Sequence, residues 1–376
     1  MKHSMKIMHI ISTLDIGGAE QNLFYLVSRM EKRSFLNHVV SMTDIGPTGK
    51  MIQETGIPVT QLDMRKGVPD PRGIVRMRRV VQKVKPDIIQ SWMYHANLFG
   101  LLFNQGRHLF WNIRCSDMDL EKYGFMYKIS VHAGALLSRI PAIVITNSYA
   151  GRSTHESLGY RPRRWEVIPN GFDLDLFKPD PEARTSVRYE LGIPQDALVI
   201  GLIARFDPMK DHLNFLAGAR ILHDIYPDTH FLLAGRGVDE RNPDFEHIVR
   251  NMPWPNHFHL LGERLDIPRI LAALDISASS SYGEGIPNNI GESMAAGIPC
   301  VVTDAGDSRN LIGETGIVVP RQDPHALAHA WTDLIQAGAE SRKEMGQRAR
   351  DRIRGHYNIK ATVGNYESLY SAFKER

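Results

Sequence analysis

The chain has 376 residues, of which 43% are hydrophobic and 23% are charged, and its formal net charge is +3. This length is typical of two domains, and these fractions exclude disordered, collagen-like and disulfide-scaffold proteins. The net charge combines a balance of +8 in residues 1–175 with −5 in the remainder. This asymmetry indicates either two domains with different partners or chance variation of surface charge.

The chain carries no sequence sign of export or of a membrane span. Cys115 and Cys300 lie far apart, so we expect no disulfide and a reducing compartment. The first apolar run, 7–11, is followed by polar residues without a cleavage-site pattern, which predicts a strand instead of a signal peptide. The longest uncharged stretch, 88–106, is too polar to cross a bilayer. These features predict a soluble, cytoplasmic protein.

Short β-branched runs alternate with amphipathic stretches along the whole chain, which predicts βαβ units and parallel sheets. Strands are predicted at 6–12, 38–42, 59–62, 87–91, 109–113, 142–146, 165–168, 198–203, 229–234, 258–261, 276–279, 300–303 and 316–318. Helices are predicted at 20–30, 73–84, 211–223, 267–273, 288–296 and 324–337. The fold class is therefore α/β, with two Rossmann-like doubly wound domains and a boundary near the turn-rich segment 170–179.

The earliest candidate site follows the first predicted strand. Gly17 and Gly18 precede a helix, where backbone amides and the helix dipole favour a phosphate, although an ordinary tight turn explains the pair equally well. A second candidate follows the strand at 198–203, where Arg205 and Lys210 share one loop. Such a pair can neutralise a diphosphate without a metal ion, or be two solvated loop cations.

The most specific pattern is the segment 279–297, in which a strand, a glycine-rich loop and a helix follow one another. Glu284 lies in the loop and Glu292 on the second turn of the helix, which begins at Pro287 or Asn288. The helix N-terminus favours a phosphate, and each carboxylate accepts hydrogen bonds from paired sugar hydroxyls. On charge alone, Glu284 is an exposed loop acid and Glu292 a helix-surface acid.

Four motifs together resemble the family-4 retaining glycosyltransferases of the GT-B fold. They are Glu284-x7-Glu292 within EGIPNNIGE, the RFDPMK loop, the GGAE turn and the NGFD segment, and they occur in the order of the family. The resemblance covers nearly the whole chain and implies two domains that face each other across a cleft. It implies an N-terminal acceptor-side domain at 1–175, to which a C-terminal helix at about 360–376 crosses back, and a donor domain at 176–359.

The resemblance also implies a role for each matching residue. Arg205 and Lys210 would hold the donor diphosphate with help from Gly17 and Gly18, Glu292 would bind the ribose, and Glu284 would bind the transferred sugar and act in catalysis. The main chain would line the rest of the donor site at Gly285, Ile286, Pro287, Asn288, Asn289 and Ile290, and would border the base at Arg264 and Leu265. Transfer would retain the anomeric configuration, and the leaving diphosphate would take the acceptor proton.

One position departs from the pattern. Many members have a histidine facing the donor sugar where this chain has Arg114, and an arginine cannot act as a general base. Arg114 would instead bind a phosphate or carboxylate on the acceptor. His95, after another strand, would shape the acceptor pocket, although a structural histidine beside Trp92 is equally consistent with the sequence.

We expect no metal and no organic cofactor. Two Asp-x-Asp triplets, 173–175 and 117–119, lack the further ligands that a hard cation needs, and turn chemistry explains the first. A row of cations at Arg72, Arg76, Arg79 and Lys83 is typical of a solvated helix face. The alternative is peripheral contact with an anionic membrane, to which the segment 123–140 and the cluster 161–165 would contribute. Nucleic acid is a less favoured partner because no stacking platform accompanies the charge.

The sequence therefore predicts a metal-independent retaining glycosyltransferase. It would move a sugar from a nucleotide diphosphate sugar, most simply a UDP-sugar, to a glycan or lipid-linked glycan in cell-surface polysaccharide or lipopolysaccharide biosynthesis at the inner face of the membrane. The alternatives are a sugar-nucleotide epimerase of similar fold and a non-catalytic nucleotide-sugar-binding protein. Release of nucleotide diphosphate with and without an acceptor would separate the three.

Overall fold

The computed structural model describes residues 4–65, 70–104, 108–116, 120 and 123–373. It divides the chain into two units. The first unit comprises Met1–Gly171 and Ile359–Arg376, and the second comprises Phe172–Asn358.

The first unit has a parallel sheet at its centre. Within the described residues it contains the strands β1 (Met5–Ile11), β2 (Phe35–Ser41), β3 (Val59–Gln61), β4 (Ile88–Trp92), β5 (His108–Ile113), β6 (Ile143–Thr146) and β7 (Trp165–Val167). Their order in the sheet is β3-β2-β1-β4-β5-β6-β7, and all pairs are parallel. All five residues of β4 and all four of β6 are buried, as expected of strands covered on both faces.

Helices cover both faces of this sheet. They are α1 (Gly18–Arg29), α2 (Gly46–Glu54), α3 (Pro71–Val84), α4 (Tyr94–Gly100), α5 (Phe125–Leu137), α6 (Tyr149–Ser157) and α15 (Ile359–Ser371). Side chains of β1 alternate between two apolar cores: Ile7 and Ile11 pack with α1 and α15, and Met8 and Ile10 pack with α3 and α5. The sheet is therefore doubly wound.

The C-terminal helix α15 is attached to the first unit by polar contacts as well as apolar ones. Tyr370 donates a hydrogen bond from its hydroxyl to Gln90 Oε1 at 2.6 Å, and Asn112 Nδ2 donates to the Tyr366 hydroxyl at 2.7 Å. Both tyrosines are buried. Because a buried hydroxyl without a partner is costly, these bonds fix the position of the helix on the sheet.

The second unit repeats the architecture. Its described strands are β8 (Val199–Ile203), β9 (His230–Ala234), β10 (Phe258–Leu260), β11 (Ile276–Ser279), β12 (Cys300–Thr303) and β13 (Ile317–Val319). The helices are α7 (Pro181–Glu190), α8 (His212–His223), α9 (Pro243–Arg250), α10 (Ile267–Ala272), α11 (Asn288–Ala295), α12 (Ser308–Ile312), α13 (Pro324–Gln336) and α14 (Gly338–His356). The strand order is β10-β9-β8-β11-β12-β13, again fully parallel.

The prediction of two doubly wound parallel sheets is confirmed. Each predicted strand is present, and the largest boundary difference is in β2, which begins at Phe35 instead of residue 38. The strand extends because β2 pairs with β1 over its full length and the polar Asn37 has a partner there: its Oδ1 accepts from His9 Nε2 at 3.0 Å.

Each sheet has one point where the strand order reverses, between β1 and β4 in the first unit and between β8 and β11 in the second. Ligands of open parallel sheets bind outside the carboxyl ends of the strands at such a point. The loops that follow β1, β8 and β11 contain the predicted residues Gly17, Arg205, Lys210 and Glu284, and His95 lies in the first turn of α4, directly after β4.

Candidate active site

The loop after β8 is shaped by two aspartates that begin helical turns. Asp207 accepts a hydrogen bond from the Met209 amide at 3.0 Å and begins the short 3-10 turn Pro208–Lys210. Asp211, with a φ of 47°, accepts from the Asn214 amide at 3.3 Å and begins α8. The two caps confine Lys210 to a single turn at the end of the strand.

Lys210 and Glu284 form an ion pair at the switch point of the second sheet. Lys210 Nζ contacts Glu284 Oε1, and the two side chains are 19% and 9% exposed. Ser281 Oγ donates to the same carboxylate oxygen at 2.7 Å. A carboxylate this buried needs such partners, because burial without a cation or a hydrogen bond would neutralise it.

Two further hydrogen bonds to backbone carbonyls join the two loops. Ser280 Oγ donates to the Lys210 carbonyl at 2.8 Å, and the Tyr282 amide donates to the Met209 carbonyl at 3.0 Å. The ion pair is therefore held by two connected loops and does not depend on two flexible side chains meeting in solvent.

The glycine-rich loop that carries Glu284 rests on the turn between β12 and α12. Gly306 has a φ of 55°, and a Cβ atom there would overlap the carbonyl of Glu284. The Asp307 amide donates to the Gly285 carbonyl at 2.9 Å, next to this contact. Only glycine fits a backbone approach of this kind, so Gly306 supports the position of Glu284.

Arg205 lies in the same loop as Lys210 and is oriented by Asp207. Its Nη2 and Nε contact Asp207 Oδ2 at 2.9 and 3.1 Å, while its side chain remains 45% exposed. Burial would raise the pKa of Asp207, but the Arg205 guanidinium and the Met209 amide outweigh it and lower this pKa. The loop thus presents two fixed cations, one nearly buried and one exposed.

Glu292 is buried on α11, and the alternative of a helix-surface acid is wrong. The residue is 7% exposed, and burial raises its pKa from 4.5 to about 8. Among the described residues no side chain of opposite charge pairs with it. The helix lies close to the NGFD segment, because a Cβ at Gly291 would overlap the Phe172 ring. A buried acid with so perturbed a pKa is typical of a ligand site.

The remaining predicted residues of the second unit are placed differently from one another. Asn288 and Asn289 are partly exposed at the start of α11, whereas Ile290 packs entirely in the apolar core. Arg264 binds Asp266 with two hydrogen bonds of 2.8 Å and contacts Glu190 at 3.1 Å, which raises its pKa. Leu265 is 77% exposed. Among the described residues, no hydrogen bond or ion pair joins Arg264 to Lys210 or Glu284. That Arg264 borders the nucleotide base of the donor therefore stays a prediction.

In the first unit the predicted residues surround the ends of β1, β4 and β5. Gly17 precedes α1 and Gly18 is its exposed first residue. His95 is half-buried on α4, after Met93 at a φ of 68°, and burial lowers its pKa. A non-glycine residue in this conformation is strained, and such strain is concentrated at functional sites.

Arg114 has internal partners that sequence reasoning did not foresee. Its guanidinium donates to Asn112 Oδ1 and to the Tyr366 hydroxyl, each at 3.3 Å, also contacts Asn170, and lies 5.3 Å from the centre of the Trp92 ring. Burial lowers its pKa. Arg114 therefore connects β5 to the C-terminal helix, and its contact with an acceptor stays a prediction.

Three supporting residues were missed: Ser281, Asp207 and Gly306. Ser281 and Asp207 each follow a predicted strand within a few residues, which was the available signal. For metals, the described residues contain no group of three or more potential ligands. Asp173 accepts from the amides of Asp175 and Leu176, as turn chemistry requires, and the triplet 117–119 lies outside the described residues.

Two family models match the chain. "Glycosyltransferase Family 4" matches residues 16–176, and "Glycosyl transferases group 1" matches residues 197–337. EpsF of Bacillus subtilis (strain 168) is 29% identical over 381 residues, which cover 99% of this chain and 97% of EpsF. A second relative is the UDP-Gal:alpha-D-GlcNAc-diphosphoundecaprenol alpha-1,3-galactosyltransferase of Escherichia coli. It is 24% identical over an alignment that covers 81% of this chain and 80% of the Escherichia coli chain.

Solved structures share the fold over nearly the whole chain. Alr3699/HepE of Anabaena, crystallised in complex with UDP-glucose, has a TM-score of 0.85 at 22% identity and is matched over 98% of this chain and 100% of its own. Sucrose-phosphate synthase of Thermosynechococcus elongatus has a TM-score of 0.81 at 17% identity, over 98% and 99% of the two chains.

Proposed function

We propose that this chain, which is a glycosyltransferase of the GT-B fold, transfers a sugar from a UDP-sugar to a glycan or lipid-linked glycan with retention of anomeric configuration. The ion pair of Lys210 and Glu284 at the switch point of the second sheet is the observation that most supports this. It places a cation and a buried carboxylate together where parallel sheets bind ligands. The UDP-Gal and UDP-glucose named for two similar proteins support uracil as the base.

The donor diphosphate would bind Arg205 and Lys210. Lys210 has three N–H donors, so it can keep its contact with Glu284 and still donate to a phosphate oxygen. Arg205 would turn its exposed fork toward the other phosphate, and the two cations would stabilise the departing UDP without a metal ion.

The two glutamates would bind the two sugars of the donor. Glu284 would accept hydrogen bonds from hydroxyls of the transferred sugar, positioned by Lys210 and Ser281. Glu292 would accept hydrogen bonds from the ribose hydroxyls. The ribose would thereby supply this buried carboxyl with polar partners, which the described residues do not provide. The leaving diphosphate would take the proton of the acceptor hydroxyl, because no side chain described at this edge is an evident base.

We place the enzyme in cell-surface polysaccharide or lipopolysaccharide synthesis, acting on a lipid carrier at the inner membrane face. The Escherichia coli relative, by its name, acts on a diphosphoundecaprenol-linked sugar. None of the described helices is both long and apolar enough to cross a bilayer, so contact with such an acceptor would be peripheral.

Release of UDP from a panel of UDP-sugars, measured with and without glycan acceptor, tests this function. A transferase releases UDP in proportion to the acceptor present. An epimerase changes the sugar without acceptor dependence, and a binding protein releases nothing. Glu284→Ala should abolish the acceptor-dependent release, and the same rate in this variant as in the wild type would refute the assignment.

A further inference from the structure

The helix α5 presents an apolar stripe to solvent. Phe125 is 75% exposed and Leu136 is 85% exposed. The α5 apolar stripe consists of these two residues together with Met126, Ile129, Leu137 and Ile140 in the turn that follows. Ser130, Val131 and Gly134 face the opposite side and are buried. Soluble monomers rarely expose so many large apolar side chains side by side, so this surface is a candidate interaction site.

Cations form one border of the stripe. At about 100° per residue, Phe125, Ile129 and Leu136 lie within about 40° of one another around the helix. Lys128 and the exposed His132 occupy the next sector of α5, and Arg139 lies in the turn that follows the helix. The solvent side of α5 is thus divided lengthwise into an apolar part and a polar part that contains Lys128, the pattern of a helix that lies in a membrane interface.

A basic cavity continues this border. Arg139, Arg161, Arg163 and Trp165 line a surface cavity of about 550 Å³, together with a single carboxylate, Glu156. The three arginines are exposed, and guanidinium groups in such an arrangement bind phosphate oxygens. The half-buried indole of Trp165 is of the type enriched at membrane interfaces.

The side of α5 opposite the stripe packs beside a predicted acceptor residue. The Tyr127 ring of α5 lies 6.2 Å from the His95 ring and 5.3 Å from the Tyr94 ring of α4. These residues follow β4, at the switch point of the first sheet. A surface docked on the stripe would therefore lie about one helix diameter, roughly 10 Å, from the edge where ligands of this sheet bind.

We propose that the α5 apolar stripe inserts into the interface of an anionic lipid bilayer, with Arg139, Arg161 and Arg163 bound to the headgroup phosphates. A second copy of the chain is the less favourable occupant. A two-fold interface through this surface would bring the same arginines of both copies together, and their like charges would repel. The proposal deepens the proposed function, since it names the surface from which a lipid-linked acceptor is reached.

Flotation with vesicles of phosphatidylglycerol and phosphatidylcholine tests the proposal, without any nucleotide sugar. The wild type should float with these vesicles, less at high salt, and little with phosphatidylcholine alone. A variant with Phe125→Ser, Ile129→Ser and Leu136→Ser should lose at least about tenfold in binding. Arg139→Gln with Arg163→Gln should lose the preference for the anionic lipid.

Matched control variants test whether binding depends on α5 in particular. Tyr189→Ser with Leu213→Ser removes two exposed apolar side chains of the second unit and should leave flotation unchanged. Arg78→Gln with Arg79→Gln removes exposed cations of α3 and should lower binding less than the α5 variants do. Unchanged thermal denaturation of each variant shows that it folds.

Equal flotation of the stripe variant and the wild type would overturn the proposal. The proposal would also be overturned if the wild type did not bind anionic vesicles and sedimented as a dimer, while the stripe variant sedimented as a monomer. Because the assay contains no donor sugar, its result is independent of whether UDP release depends on an acceptor.

Discussion

Glu292 gives the sharpest prediction, because the same side chain should cost stability and support nucleotide binding. Burial raises its pKa from 4.5 to about 8. The folded protein therefore holds this proton up to about pH 8, while the unfolded chain releases it near pH 4.5. The unfolded state binds fewer protons in this window, so the free energy of unfolding falls as the pH rises through it.

The size of the effect follows from the pKa difference. At 1.36 kcal/mol per pH unit, the penalty from Glu292 grows by about 3 kcal/mol between pH 5 and pH 8. Glu292→Gln keeps the shape of the side chain and cannot ionise, so it should escape this penalty. For a unit of this size, the amount by which the Tm of Glu292→Gln exceeds that of the wild type should increase by about 6–12 °C between pH 5 and pH 8.

Thermal denaturation and titration calorimetry with UDP measure the two sides of the prediction. Glu292→Gln should raise the Tm increasingly toward pH 8. It should also weaken UDP binding by about tenfold, because an amide NH₂ replaces one of the two carboxyl oxygens that would bind the ribose hydroxyls. Glu263→Gln, on an exposed loop, is the matched control and should change neither quantity. A Tm difference that does not vary with pH, or UDP affinity equal to that of the wild type, would refute the reasoning.

Three further predictions concern the loop around Glu284 and the absence of a metal. Ser281→Ala removes the 2.7 Å hydrogen bond to Glu284 and should lower kcat about tenfold, with UDP affinity retained. A kcat equal to that of the wild type would show that Lys210 alone positions the carboxylate. Gly306→Ala should destabilise the protein by about 1–3 kcal/mol and reduce transfer. Gly338→Ala should spare transfer, because Gly338 also has a positive φ but has open space around it. Equal losses of transfer in the two variants would contradict the supporting role of Gly306. Chelation with EDTA should leave the rate of UDP release unchanged, and restoration of a lost rate by a divalent cation would contradict a donor site based on Arg205 and Lys210.

The strands were predictable because the alternation of short apolar runs with amphipathic stretches depends on neighbouring residues. The strand β11 was predicted with its observed bounds, and the segment after it was recognised as the main candidate site. The pairing of Lys210 with Glu284 was not predictable. The two residues are 74 positions apart, and they meet only because β8 and β11 are adjacent in the folded sheet.

The burial of individual side chains was also not predictable from the sequence. Charge alone indicated exposed acids at Glu284 and Glu292, and only the family resemblance assigned them to a site, whereas both are buried. Arg114 illustrates the opposite case. It was expected to bind an acceptor, yet its guanidinium contacts Tyr366, 252 positions later on a helix whose packing no local pattern reveals.

In the proposed function, the loops after β8 and β11 form the donor diphosphate site. Calorimetric binding of UDP to the wild type, Lys210→Ala and Glu284→Ala tests it most directly, with circular dichroism to verify that each variant is folded. Lys210→Ala should lose at least about tenfold in affinity, since a charge-assisted contact with phosphate is removed. Glu284→Ala should bind UDP nearly as well as the wild type, because UDP lacks the sugar that Glu284 would hold. UDP affinity unchanged in Lys210→Ala would contradict the account.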